Sequence, residues 1–509
     1  MSGRSRLAAA HRRLGASLLK EPPPLRAVAD RRYYRWLIVG TVCIGAFMGQ
    51  VDASIAQLVL PELEREFDRG LAAISWVSLA YLLALAVFLP VFGRLADLYG
   101  RKLLYSAGFL LFILGSALCG AADDFSMLVG FRVLQAIGAA LLQANSIAIV
   151  VSAAGRRYRG RAIGVQAAAQ AIGLSAGPAI GGALISALSW RWVFWINVPV
   201  GAVGALLGWL VLPQTQDVPR RRPFDWQGVL LLAPGITALL LLITQGRDWG
   251  VGSPAFIGCG VAVLSLLPLF VRRERCFKSP LLDLKLFRLR AFWAGNVAGL
   301  LSYAMLFGLF FLMPFVFMRG YRESALEAGI RLAAVPAALG ALSPLAGALH
   351  DRLGPRRLTG IGMGLCLLAF LTLAWLLDGS RENLVFVMAA LVLFGLGLGL
   401  FTSPNNSAVM AAAPNNRIGQ AGGILNVMRS FGTSLGVAAA SAMLAWRLGI
   451  LTGHAGDTLH APPAALLSAS RDAAFMFAGF ALAASGLSWL RPETLHRADP
   501  RREVPTLAP

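Results

Sequence analysis

The chain reads as long apolar runs separated by short polar stretches. A helix needs roughly 17–25 apolar residues to cross about 30 Å of hydrocarbon, and fourteen runs reach that length. They cover residues 36–60, 74–92, 103–122, 125–151, 162–188 and 192–212, then 226–244 and 255–271, then 292–317, 325–349, 358–377, 384–410, 418–444 and 473–490. The pattern predicts an all-α polytopic membrane protein with fourteen transmembrane helices.

Composition agrees and narrows the choice. Of 509 residues, 57% are hydrophobic and only 14% charged, against about 25% charged in an ordinary soluble domain. A soluble enzyme of ordinary make-up and a disordered chain are both excluded. The five cysteines, Cys43, Cys119, Cys259, Cys276 and Cys366, form no CxxC pair and read as small buried hydrophobes. The net charge of +21 raises nucleic acid as a partner, but the basic residues sit in short clusters between spans. An even number of spans puts both chain ends on one side. On that side the polar segments hold 34 Lys and Arg against 11 Asp and Glu, and on the other 9 against 13, counting Glu327 at the outer end of the 325–349 run. Cytoplasmic segments retain Lys and Arg, so both termini are expected in the cytoplasm. The basic excess then serves topology and contact with anionic lipid, with no nucleic-acid partner. The first 35 residues contain no apolar h-region, so no cleaved signal peptide is expected. Their Arg12, Arg13, Arg31 and Arg32 read as a disordered tail.

An internal repeat shows in the polar loops. After the second span stands Gly93-Arg-Leu-Ala-Asp97-Leu-Tyr-Gly100-Arg101-Lys102, and after the tenth stands Gly347-Ala-Leu-His-Asp351-Arg-Leu-Gly354-Pro-Arg356-Arg357. Both carry Gly, Asp four later, Gly three later, then basic residues. Two six-helix units with one loop signature are what a duplicated transporter produces. The domain plan is a basic tail at 1–35, a six-helix half at 36–212, a linker with two extra helices at 213–290, a second six-helix half at 291–491 and a tail at 492–509.

The duplication, the loop signature and the motifs below resemble the major facilitator superfamily. The fourteen-span count resembles its drug:proton antiporter branch with fourteen helices. The resemblance implies a major-facilitator fold and a cytoplasmic gate at Gly93, Asp97, Gly100, Arg101 and Lys102, with Asp351 and Arg356 in the second copy. Asp97 can accept hydrogen bonds at a helix N-terminus while Arg101 pairs with it, a latch that closes one face.

Asp52, in the first span, is the one acidic residue placed within hydrocarbon, where insertion costs about 2.5–3.5 kcal/mol. Burial disfavours its charge, so it can exchange a proton as water reaches it from alternate sides; the plainer reading is a hydrogen-bonded carboxylate near the outer interface. Arg132 in the fourth span stands in Arg132-Val-Leu-Gln135-Ala-Ile-Gly138, similar to the family's R-x-x-Q-G motif with Ala136 in place of glycine. It either tunes Asp52 or binds backbone carbonyls structurally. In the fifth span, Gly173-Leu-Ser-Ala-Gly177-Pro178-Ala-Ile-Gly181-Gly182 places glycines on one face for close helix approach. This string resembles the family's antiporter signature, and the following Ser189-Trp190-Arg191-Trp192 to Gly201 segment resembles the fourteen-helix branch.

In span thirteen, Asn426 and Arg429 precede Ser430-Phe-Gly432. Arg429 either balances Asp52 across a cavity or locks helices together, while Arg331, near the outer end of span ten, is expected to snorkel. Gln50, Gln57, Gln143, Gln170, Asn426 and Arg429 are the candidate cavity lining, and the Phe- and Met-rich remainder suits lipophilic cargo. No GxxxxGK[ST] loop, HExxH or GxSxG string is present, so no ATP site, no enzyme activity, no metal and no cofactor are expected; His454 and His460 alone are weak metal ligands. The resulting expectation is a proton-coupled exporter of lipophilic or amphiphilic small molecules in a bacterial inner membrane, driven by the proton motive force. A periplasmic adaptor and an outer-membrane channel are partners such a pump can use. A dedicated exporter of one endogenous metabolite or antibiotic is the alternative.

Overall fold

The computed structural model describes residues 21, 23–215, 225–277, 284–414, 418–453 and 458–491. Every regular element among them is helical. Among the described residues, fourteen helices are long and apolar enough to cross a membrane: α1 Tyr34–Leu58, α2 Leu71–Ala96, α3 Arg101–Gly120, α4 Phe125–Gly155, α5 Arg161–Ala187, α6 Trp192–Val211, α7 Trp226–Gly246, α8 Pro254–Cys276, α9 Arg290–Gly320, α10 Ala325–Gly347, α11 Leu353–Leu376, α12 Arg381–Ala412, α13 Ala421–Thr452 and α14 Pro463–Trp489.

Local chemistry sets several starts. Asp124 accepts from the backbone N–H of Ser126 at 2.7 Å and Met127 at 3.3 Å, capping α4. The bond from Ser126 is the main reason its carboxyl sits below the usual carboxylate range. Ser324 and Glu327 form a reciprocal capping box at the start of α10. The two loop signatures share a backbone device. Gly100 between α2 and α3 has φ +105°, and Gly354 in the first turn of α11 has φ +74°, a region open to glycine and costly for other residues.

α1 to α6 pack as one group and α9 to α14 as another, joined chiefly where α4 and α5 meet the α10–α11 pair and where α2 meets α13. α7 packs against α8, α13 and α2. Only 6% of the α8 apolar window is buried, so that helix turns nearly all of its surface outward. The side of the bundle holding Tyr34 and Trp489 is termed terminal, the opposite side distal.

Part of the segment expected to be a disordered tail is ordered. Residues Arg26–Ala29 form a short helix, and Leu25 N–H donates to the Leu210 carbonyl at 3.0 Å. Glu21 accepts from the N–H of Lys102 at 3.1 Å and Leu103 at 3.2 Å, and from Thr215 Oγ1 at 2.9 Å. The physical reason is the unsatisfied N–H groups at the start of α3, which a nearby carboxylate completes. Arg12 and Arg13 lie outside the described residues.

Candidate functional site

Asp52 and Arg132 meet inside the first half, each 1% exposed. Arg132 Nη1 donates to Asp52 Oδ2 at 2.9 Å and to Gln135 Oε1 at 2.6 Å, and its Nε donates to the Val77 carbonyl at 3.1 Å. The other carboxylate oxygen, Asp52 Oδ1, accepts from Gln135 Nε2 at 2.8 Å and Asn197 Nδ2 at 3.0 Å. Both amides also donate to Ser116 Oγ, at 3.0 and 3.1 Å, and Ser116 Oγ donates a hydrogen bond to the Phe194 carbonyl at 2.8 Å. The guanidinium carbon lies 4.1 Å from the Tyr81 ring centroid and 5.6 Å from that of Phe194, a cation–π contact that supports the charge where water is absent. Removing one partner of such a pair leaves an uncompensated buried charge. The site draws on five helices, α1, α2, α3, α4 and α6. Tyr81, Ser116 and Asn197 are its unanticipated members: a lone Ser, Asn or Tyr on an apolar helix carries no spacing signal, although Asn197 lies within the conspicuous stretch after Ser189.

The fifth-span glycines lie at close contacts of α5 with α1 and with α10. A Cβ on Gly173 would stand 2.5 Å from the Phe47 carbonyl oxygen, on Gly177 1.9 Å from Ser54 Oγ, and on Gly181 2.8 Å from Ile55 Cγ1, all on α1. On Gly182 it would stand 2.4 Å from the Ala325 carbonyl oxygen of α10, and on Gly329 2.2 Å from the Pro178 carbonyl oxygen. The distal ends of the halves are further tied by Glu64, 2% exposed at its side chain. It pairs with Arg319 Nη2 at 2.9 Å and accepts from Thr458, while Arg319 also donates to the Pro61 carbonyl at 2.7 Å. These contacts join the distal ends of the two halves.

A central cavity between the halves is lined by Gln50, Gln143, Gln170 and Arg429, with Tyr81, Tyr303 and Phe307. Two candidates for its wall are placed elsewhere. Gln57 is 2% exposed and accepts from Ser78 Oγ at 3.3 Å, a helix-to-helix bond. Asn426 is not among the lining residues, which on α13 are Arg429, Ser430 and Thr433. Asp52 does not line the cavity either, whereas its neighbour Ala53 and the Tyr81 ring over Arg132 do. Arg429 does not balance Asp52, whose oxygens are taken by Arg132, Gln135 and Asn197. Arg331 pairs with Glu323 at 2.6 Å rather than only snorkelling.

At the terminal side, a Cβ on Gly93 would stand 4.0 Å from Ala144 Cβ, and the side chains of Asp97 and Asp351 lie outside the described residues. Arg101 N–H donates to Thr215 Oγ1 at 2.8 Å, and Lys102, 1% exposed, donates from Nζ to the Leu212 carbonyl at 2.7 Å. Arg356 lies 5.4 Å from the Trp489 ring centroid.

Residues 42–437 match the family profile described as Major Facilitator Superfamily. The chain is 33% identical over 414 residues to the Riboflavin transporter RibZ of Clostridioides difficile (strain 630), covering 81% of this chain and 89% of that protein. It is also 33% identical over 423 residues to the Multidrug resistance protein Stp of Mycobacterium tuberculosis (strain CDC 1551 / Oshkosh), covering 81% and 76%. Among solved structures, a bacterial homolog of the human lysosomal transporter Spinster in an inward-facing, unoccupied conformation superposes with TM-score 0.65 at 18% identity, over 91% of this chain and 97% of that one. A D-xylose-proton symporter gives 0.63 at 13% identity, over 90% and 98%. These two structural likenesses speak to the fold.

Proposed function

This multi-pass chain belongs to the Major Facilitator Superfamily, a family of transporters, and from that premise we propose that it is a proton-coupled antiporter exporting lipophilic or amphiphilic small molecules by alternating access. The observation that carries the reading is the sealed Asp52–Arg132 pair, set behind the Tyr81 ring at the cavity wall.

With its charge, Asp52 accepts three hydrogen bonds and neutralises Arg132. A proton on Asp52 removes that neutralisation and weakens the bonds between α1 and its neighbours. α1 rests on the α5 glycines, and α5 rests on α10, so a shift of α1 bears on the distal seal. When that seal parts, water and a proton reach the site and cargo leaves; when it closes, the carboxylate is again shielded. Gln135 and Asn197 orient the carboxylate, and the loop motif from Gly93 to Lys102 closes the terminal side in the alternate state. Protons moving inward supply about 2.3 kcal/mol per charge per 100 mV, so one proton supports roughly fifty-fold accumulation of cargo.

The relatives named as multidrug resistance proteins support a broad cargo range, and the mixed amide and aromatic wall suits it. A dedicated exporter of one metabolite is the second reading, favoured by the relative named for riboflavin. The location in this reading is a bacterial inner membrane with both termini cytoplasmic, supported by the excess of Lys and Arg on the terminal side. Partners in this reading are protons, small lipophilic substrates and membrane lipid, with a periplasmic adaptor and outer-membrane channel where the envelope has them. Gradient-driven transport in liposomes, lost on Asp52→Asn, tests the reading.

A further inference from the structure

We propose that the central cavity takes amphiphilic organic anions, aromatic carboxylates and sulfonates, and that Arg429 holds their acid group. The inference rests on the exporter reading above and names its cargo class.

Arg429 is the charged residue among those lining the cavity. Its guanidinium carbon lies 4.6 Å from the Tyr303 ring centroid, its buried Nε has no hydrogen-bond partner, and among the described residues no carboxylate pairs with it. Arg132 offers the contrast within the same protein: its charge is matched by Asp52 at 2.9 Å and its donors are occupied. A partly buried guanidinium facing a cavity with neither counter-ion nor acceptor is unfavourable until something supplies both. A carboxylate or sulfonate does so, because its paired oxygens match the planar donor fork of arginine.

A second observation points the same way. Beside Arg429, Asn296, Thr402, Asn405 and Asn406 line a closely packed polar crevice. Behind it, Arg491 is 3% exposed and donates to Asn405, yet its Nε and Nη1 lack partners, as does the Asn405 Nδ2 donor. Burial pushes the Arg491 guanidinium down to about 10, which leaves it charged at neutral pH. Among the described residues, two guanidinium groups without acidic partners thus flank one polar crevice. The same cavity supplies Leu82, Leu85 and Phe307 for an apolar body. A lipophilic cation in this cavity meets a like charge with nothing to offset it.

The test uses three probes with one ring system: 2-naphthoate, 2-naphthamide and 2-naphthylmethylammonium, with equilibrium binding measured on the purified full-length protein in detergent. The expected result is naphthoate bound at least ten-fold more tightly than the amide and the ammonium weakest. Arg429→Gln is expected to erase the preference and Arg429→Lys to keep part of it, both with melting temperatures near wild type. Ammonium bound as tightly as naphthoate, no binding of any probe, or an unchanged preference in Arg429→Gln would overturn the inference. Asp52→Asn is expected to keep the anion preference while losing gradient-driven transport, so failure of the cargo class and failure of proton coupling give separate results.

Discussion

A Cβ placed on Gly177 would stand 1.9 Å from Ser54 Oγ, two residues along α1 from the buried carboxylate of Asp52. The stretch of helix that carries the acid is therefore the one seated on the α5 glycine ridge. Overpacking a close contact costs about 1–3 kcal/mol. Gly177→Ala is expected to lower gradient-driven transport ten-fold or more while leaving the protein folded, as checked by transport rate and thermal unfolding in parallel. Transport at the wild-type rate would show that the ridge is not part of the coupling.

The Asp52–Arg132 pair gives a sharper stability prediction. Removing one partner of a buried pair costs about 3–5 kcal/mol, whereas removing both charges is far milder. Arg132→Gln is expected to lower the melting temperature markedly, and the Asp52→Asn, Arg132→Gln double variant to recover most of that loss without recovering transport. A double variant less stable than Arg132→Gln would mean that the pair is not the source of the penalty.

In the proposed cycle, closure of the distal side depends on Glu64, which ties Arg319 and Thr458 to the segment after α1. Glu64→Gln removes the ion pair and keeps the shape, and we expect a cysteine placed at Gln50 to react several-fold faster with a membrane-impermeant maleimide added from the distal side. Unchanged reactivity would remove this cluster from the gate.

Much of this was legible from the chain alone, and the reasons differ by feature. Span number follows from apolar length against bilayer thickness. The repeat was legible because Gly100 and Gly354 both need positive φ, a demand that few residues besides glycine meet. Arg132 and Asp52 stood out because charges within hydrocarbon are rare. Polar uncharged residues were harder. Gln57 and Gln143 look alike on an apolar helix, yet one bonds Ser78 and the other lines the cavity; helical phase relative to a partner decides, and sequence alone does not contain it. The seating of Glu21 on α3 was illegible for the same reason, since the residues it joins are 81 positions apart.

That seating makes its own prediction. A carboxylate at a helix N-terminus contributes about 0.3–1 kcal/mol through the dipole, and a cap contributes about 0.5–2 kcal/mol. Glu21→Ala is expected to speed tryptic cleavage after Arg26 and Arg31 several-fold in the native protein, with little change in the rest of the digest. Equal cleavage rates would show that Glu21 does not hold the segment in place.

The central claim is that Asp52 exchanges a proton for cargo. It is tested most directly with purified protein in liposomes under an imposed pH gradient, following one anionic and one cationic fluorescent amphiphile with wild type and Asp52→Asn side by side. The account predicts gradient-dependent movement of dye by wild type and its loss in the variant, whereas dye transport that responds to the gradient equally in both proteins would contradict it.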